Sequence, residues 1–328
     1  MKLYQNHHSP DLFKRYFDNP ILKPSMWPYK VNAVFNAGAT IYDGKVLLLV
    51  RAEDMRGFSH FSKAVSEDGV TNWKIDREPS LLPDPEKHPE ENYGIEDPRI
   101  IKLEEDYNYI LGYAIVYTSF SKSGPLVSLS ITEDFITYKR IGVIMSPEDK
   151  DASLFPRRFQ GRWALIHRPT PSNSHMGANM WISFSPDLIH WGDSRVLLPA
   201  RKGSWWDANK IGLGPQPIET PEGWLLIYHG VRTTAAGSLY RLGLALLDLD
   251  DPSKVVKRCD EWVFGPHEIY ERIGDVPDVT FPCGAVVMGD KLIMYYGAAD
   301  TYVAVATASM KEVLDFIKYS KDSTHLTS

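Results

Sequence analysis

This 328-residue sequence has only two cysteines, Cys259 and Cys283. Two distant cysteines provide neither a disulfide framework nor metal-ligand spacing, and they fit a reducing compartment. There is no excess of positive charge: the formal net charge is −6, which argues against a nucleic-acid partner. Any anion site must then be a local cluster of basic residues. No apolar run approaches membrane-spanning length. The opening Met1-Lys2-Leu3-Tyr4-Gln5-Asn6-His7-His8 has no apolar segment of the kind a secretory signal carries. The expectation is a cytoplasmic protein with no membrane partner. Helical periodicity is also scarce. It appears as a short stretch at Asp11 to Phe17 and again at Met310 to Tyr319, where Met310, Val313, Leu314 and Ile317 share one face.

What the sequence has instead is a period of two. Apolar residues make up 43% of it, with nine Trp and seventeen Tyr, and aromatics suit strands. One plan recurs: a polar turn, an apolar strand and a polar residue at its end. Asp43-Gly44 leads through Val46–Val50 to Arg51, and Glu105-Asp106 into Tyr109–Tyr113. Gln160-Gly161 leads through Trp163–His167 to Arg168, Glu222-Gly223 through Trp224–Tyr228 to His229, and Gly289-Asp290 through Leu292–Tyr296 to Gly297. Further polar turns follow at Ser66–Gly69, Thr132–Asp134, Ser185–Asp187 and Asp248–Asp251. About five copies at intervals of roughly 55 to 67 residues indicate blades or arrays. A β-sandwich is the other arrangement of such strands, but it does not predict near-equal units. The expected fold is an all-β propeller forming a single domain over residues 1–328. Residues 1–30 would be a short N-terminal extension and residues 309–320 a C-terminal helix.

Blades converge on a central channel, so polar residues at matching strand ends would line it. These are Arg51 and Glu53 in the first unit, Asp97 opening the second, Arg168 in the third, His229 in the fourth and Asp300 past the fifth. Lys150 precedes the third unit's strand; Asp207 and Lys210 precede the fourth's. Within Glu91-Asn92-Tyr93-Gly94-Ile95-Glu96-Asp97-Pro98-Arg99, Pro98 biases Asp97 toward extended backbone. Strand alternation then puts Asp97 and Arg99 on one face and Glu96 on the other. A stiffly held carboxylate suits a general acid, although an adjacent arginine would lower its pKa. The alternative is a surface loop with an Asp–Arg ion pair.

Three weaker signals remain. His7-His8 could suggest a metal, but adjacent histidines near a terminus are read as solvent-exposed, and no metal site is expected. At most one of Arg157 and Arg158 could extend a basic cluster. Trp205-Trp206 offers either a sugar platform or core packing.

The ordered stretches Phe35-Asn36-Ala37-Gly38, Asp97-Pro98-Arg99, Leu154-Phe155-Pro156, His167-Arg168-Pro169, Lys210–Gly214, Tyr228–Val231, Gly274–Pro277, Phe281-Pro282-Cys283 and Tyr295–Thr301 resemble glycoside hydrolase family 130, the inverting β-mannoside phosphorylases and related β-mannosidases. The resemblance implies a five-bladed β-propeller. It also implies that Asp97 is the proton donor, acting through a hydroxyl of the mannosyl ring. Lys150, Arg168, Lys210 and His229 would hold phosphate, and Asn36, Arg51 and Asp300 would line the mannosyl site. Glu53 and Asp207 complete the candidate substrate-binding set. Glu96 departs from relatives that carry tyrosine there, which bears on linkage and acceptor preference.

An inverting hydrolase needs two carboxylates roughly 6.5–9.5 Å apart. A phosphorylase needs one acid and cations to aim the phosphate. One placed acid and about four cations favour phosphorolysis to α-mannose 1-phosphate, with phosphate as co-substrate and no cofactor. The alternatives are a hydrolase using Glu53, Asp54 or Asp207 as base, and a non-catalytic carbohydrate-binding propeller. Homo-oligomers are a family-level expectation only.

Overall fold

The computed structural model describes residues 12–107, 111–170, 177–235 and 237–323. Its strands form five antiparallel sheets around one axis, in chain order. The chain enters through β1 (Lys14–Arg15) and then builds the first blade from β2 (Ala33–Tyr42), β3 (Lys45–Glu53), β4 (Ser59–Ser66) and β5 (Lys74–Ile75). The second blade is β6 (Ile95–Lys102), β7 (Tyr113–Ser121), β8 (Gly124–Thr132) and β9 (Lys139–Met145). The third is β10 (Asp149–Leu154), β11 (Trp163–Pro169), β12 (Met180–Ser185) and β13 (Gly192–Leu198). The fourth comprises β14 (Lys210–Leu213), β15 (Ile218–Thr220), β16 (Gly223–Thr234), β17 (Gly237–Leu247) and β18 (Val255–Arg258). A short helix α1 (Ile269–Arg272) leads to the fifth blade, β19 (Thr280–Met288), β20 (Lys291–Ala298) and β21 (Tyr302–Ser309). The outermost strand of this last sheet is β1, so the N-terminal segment closes the ring. The helical stretch expected at Asp11 to Phe17 is therefore absent over its described residues: pairing with Val305–Thr307 outweighs a weak local helical pattern. Of the strand expected over Tyr109–Tyr113, residues 109–110 lie outside the described ones, Leu111 and Gly112 are not in a strand, and β7 begins at Tyr113.

Strand alternation explains why the recurring runs are continuously apolar. In β3, Leu47 and Leu49 pack toward the second blade, while Val46, Leu48 and Val50 pack toward the fifth. In β16, Trp224, Leu226 and Tyr228 join the interface with the third blade, and Leu225 and Ile227 that with the fifth. Both faces of each sheet are buried, so both parities must be apolar. The core is thus five inter-blade clusters and a small satellite beside the axis.

The polar turns also have one structural meaning. Asp68, Asp134, Asp187 and Asp248 each accept two backbone N–H groups, two and three residues on, at 2.7–3.0 Å. These Asx turns reverse the chain after the third strand of four blades. The helix α2 (Met310–Tyr319) follows, with Ser309 accepting from the Glu312 N–H at its start. It buries Val313 and Ile317 against the fourth and fifth blades.

Candidate active site

Four of the five innermost strands carry an irregularity near their axial end: Phe35/Gly38, Glu96/Arg99, Lys150/Ser153 and Pro282/Gly284. In three of these, an Asn or Asp takes a left-handed backbone: Asn36 (φ 46°), Asp97 (φ 52°) and Asp151 (φ 53°). Asn and Asp tolerate this region better than other non-glycine residues. A bulge re-aims the side chain it carries, and here three blades aim an Asx residue at the axis. Asp97 is therefore not extended as Pro98 alone would predict. The extra residue also breaks the alternation that put Arg99 beside the Asp97 carboxylate. Arg99 turns away, donating to the carbonyls of Gly214, Leu213 and Asp97 at 3.0 Å each.

Close approach at the axis needs glycine. A Cβ on Gly297 would lie 2.0 Å from Asn36 Oδ1, and one on Gly212 would lie 2.4 Å from Asp151 Oδ2. Neither overlap leaves room for a methyl group.

The axial side chains divide into two halves. Arg51 organises the acidic half. Its guanidinium lies 3.0 Å from Asp97 Oδ1, 3.1 Å from Glu96 Oε1 and 3.8 Å from Glu53 Oε2, and its Nε donates to Ser59 Oγ at 2.8 Å. Asn36 Nδ2 donates to the same Asp97 oxygen at 2.8 Å. Asp97 is 2% exposed. Burial pushes its carboxyl up, but Arg51, Lys150 and Arg99 outweigh that and hold it below the usual range. For Asp300 the balance reverses: burial raises it to about 6, and Arg51 only partly opposes.

Asp151 organises the basic half. Its Oδ2 accepts from Arg168 Nε at 2.9 Å and Nη2 at 2.7 Å, and lies 3.4 Å from His229 Nε2. Arg99 Nη2 is 3.9 Å from the other oxygen. Arg168 also donates to Thr170 Oγ1 at 2.7 Å. Lys150 lies opposite Arg168 in the β10–β11 pair and feels Asp151, Asp97 and Glu96, which places it between the halves. Although burial opposes its charge, those carboxylates raise its pKa. Lys210 sits with its ammonium 5.4 Å from the Tyr240 ring centre.

His229 is packed between Phe281 and Tyr240. Burial, together with Arg168, Lys210 and Arg99, lowers its pKa to about 3 despite Asp151. Its 3.4 Å approach to Asp151 is therefore that of a neutral ring, not an ion pair. The basic half holds Lys150, Arg168, Lys210 and Arg99 as cations rather than the imidazolium the sequence suggested.

The fold thus brings Asn36, Arg51, Glu53, Asp97, Asp300, Lys150, Arg168, Lys210 and His229 to one region. It does not bring Asp207. That carboxylate is fully buried behind β16, held by Arg258 Nη2 at 2.8 Å and the Tyr228 hydroxyl at 3.1 Å. It packs on the Gly230 side of the strand, opposite His229, because a buried carboxylate needs its own cation. Asp54 is tied to Arg56 at the surface.

Neither Arg157 nor Arg158 joins the basic half; they pair with Glu219 and Glu105. Trp206 is core, stacked on Tyr228. His7-His8 falls outside the described residues. Asp151 is the residue sequence reasoning passed over. Its signal was positional: Asn36-Ala37, Asp97-Pro98 and Asp151-Ala152 each place an Asx before a small or cyclic residue at the same point of a repeat. Among the described residues, no cluster of three or more His, Cys, Asp or Glu could hold a metal.

A propeller whose axis separates acidic from basic side chains suits an enzyme that handles a sugar beside an anion. The family profile described as "beta-1,4-mannooligosaccharide phosphorylase" matches residues 4–319. A β-1,4-mannooligosaccharide phosphorylase of Ruminococcus albus is 35% identical over 94% of this chain and 91% of its own length. A 1,2-β-oligomannan phosphorylase of a Thermoanaerobacter species is 35% identical over 92% and 98%. The solved β-1,2-mannobiose phosphorylase of Listeria innocua superposes with a TM-score of 0.82 at 31% identity, covering 93% of this chain and 99% of that one. The chain belongs to glycoside hydrolase family 130, the family of the mannoside phosphorylases.

Proposed function

We propose that this enzyme cleaves β-mannosides by inverting phosphorolysis. Its substrates would be β-1,4- or β-1,2-linked manno-oligosaccharides or mannosyl-glucose, and its product α-mannose 1-phosphate. The observation that carries the reading is the division of the axis. Around Asp151 the cations Lys150, Arg168, Lys210 and Arg99 outnumber the carboxylate, and that surplus suits an oxyanion. Around Arg51 the carboxylates Glu53, Glu96 and Asp97 outnumber the cation, and they suit sugar hydroxyls.

In this reading Lys150, Arg168 and Lys210 hold phosphate, and His229, whose Nδ1 has no partner among the described residues, faces it as a neutral group. A phosphate oxygen attacks the anomeric carbon from the face opposite the leaving sugar, and the glycosidic bond breaks. The proton reaches the leaving oxygen from Asp97 through a mannosyl hydroxyl. A carboxyl held low is by itself a reluctant donor. Bound phosphate beside Lys150 would offset part of the cationic pull on Asp97 and raise it toward use.

Two candidate bases for a hydrolase, Asp54 and Asp207, are tied to Arg56 and Arg258. That supports phosphate over water as the attacking group. The free buried thiols Cys259 and Cys283 support a reducing, cytoplasmic setting. The test is product analysis by NMR with and without phosphate, on a panel of β-1,2- and β-1,4-mannosides. We expect α-mannose 1-phosphate only with phosphate present. Free mannose formed at full rate without phosphate would overturn the reading.

A further inference from the structure

Beside the acidic half, Phe58, Tyr93 and Phe120 form a contiguous aromatic row. The Phe58–Tyr93 and Tyr93–Phe120 ring centres are each 5.9 Å apart, with the rings tilted by 45° and 60°. None of the three belongs to an inter-blade core, and Phe120 is 38% exposed. Phe58 and Tyr93 are half-buried, and folding gains little from leaving such a row partly open to water.

The row is fixed to the site by its backbone. Phe58 precedes Ser59, whose hydroxyl accepts from Arg51 Nε at 2.8 Å. Tyr93 precedes Gly94, which bridges Ser59, and a Cβ on Gly94 would lie 2.7 Å from the Ser59 nitrogen. Two residues beyond Gly94 is Glu96, 3.1 Å from Arg51. Phe120 is locked to the same segment: its carbonyl accepts from the Tyr93 N–H at 2.8 Å and its N–H donates to the Gly94 carbonyl at 3.1 Å. On one side of Phe58 the Arg56 guanidinium lies 5.0 Å from the ring centre.

We propose that Phe58, Tyr93 and Phe120 are a platform for the acceptor side of the substrate, stacking the pyranose rings of a β-mannosyl chain beyond the bond that is cut. The apolar C–H face of a sugar packs on an aromatic ring, whose negative face attracts those hydrogens. Successive tilted rings suit a chain that turns between units. Glu96 and Glu53, at the inner end of the row, accept hydroxyl hydrogen bonds from the first acceptor unit. The platform takes the role that the sequence offered to Trp205-Trp206. It sets chain-length preference, because a disaccharide reaches its inner end and a longer chain covers Tyr93 and Phe120.

This inference rests on the proposed phosphorolysis, and one experiment separates the two. Phosphorolysis of a mannobiose and of a mannotetraose is measured for wild type, Phe120→Ala, Tyr93→Ala and Phe120→Tyr. We expect KM for the tetraose to rise about three- to tenfold in both alanine variants. The values of kcat, KM for phosphate and KM for the biose should be unchanged, and Phe120→Tyr should restore the wild-type ratio. Equal effects on biose and tetraose, or none on either, with wild type active, would overturn the platform alone. A wild type that releases no mannose 1-phosphate from any substrate overturns the phosphorolysis reading instead. Calorimetric binding of the tetraose to wild type and Phe120→Ala then still tests the platform, and unchanged affinity would overturn it.

Discussion

Asp97 shows how one residue's conformation decides its chemistry. Its left-handed backbone and its bonds to Asn36 and Arg51 fix one carboxyl oxygen. Asp97→Asn should keep the fold and lower kcat by about 10²–10⁴-fold, read as mannose 1-phosphate released per second. Arg168→Ala removes two bonds to Asp151 and one cation from the basic half, where the proposed function puts phosphate. A charge-assisted contact of about 1.5–3 kcal/mol implies a phosphate KM raised roughly ten- to a hundredfold, with sugar binding much less affected. A phosphate KM unchanged in this variant would remove Arg168 from the anion site. Asp300 makes the opposite kind of prediction. Burial raises it from 3.8 to about 6. The folded state thus favours its protonated form, a contribution present in full below 3.8 and lost as pH rises through 6. The melting temperature of Asp300→Asn should therefore exceed that of wild type more at about pH 7.5 than at about pH 4.5. An equal difference at both would place its titration elsewhere.

Among the elements, β1 and β14 deserve the sharpest tests. Two residues of β1 complete the last blade, and Arg15 binds Glu271 at 2.7 Å, a carboxylate with no exposed surface. That carboxylate also accepts from the Tyr296 hydroxyl. Arg15→Ala leaves Glu271 short of its cation and should lower stability by about 2–3 kcal/mol, measured by urea unfolding. In β14, Gly212 opens the space in which Asp151 meets His229. Gly212→Ala should weaken phosphate use while leaving the circular dichroism of the fold unchanged. A variant with normal phosphate KM would mean that Asp151 is not what orders the basic half.

For the whole molecule, the ring gathers charges that the chain keeps far apart, and a ligand of the axis should hold the blades together. If phosphate binds the folded state alone, about a hundredfold excess over its dissociation constant adds about 2.7 kcal/mol. The melting temperature should rise with phosphate, and the rise should vanish in Arg168→Ala. Closure through β1 ties Lys14–Arg15 of the N-terminal segment to the last blade. Its strand pairs with residues nearly the whole chain away.

Periodicity of two, the apolar runs and the polar turns in four of the blades were local properties, and they were enough to identify blades and to place Met310–Tyr319 as a helix. Arg51, Arg168 and His229 were readable for the same reason: each lies at a matching point of its repeat. The helix expected near residue 14 failed because its competitor was a strand pairing beyond the reach of any local pattern. Tertiary structure alone decided that Arg99 faces carbonyls, that Asp207 belongs to Arg258, that His229 is uncharged and that Asp151 is the centre of the cations. Alternation assigns a side chain to a face only while pairing is regular, and one extra residue in a bulge reverses it. A charge's worth depends on which other charges the closed ring sets beside it, and how deeply. Sequence supplies the charges; closure of the ring sets their neighbours and their exposure to water.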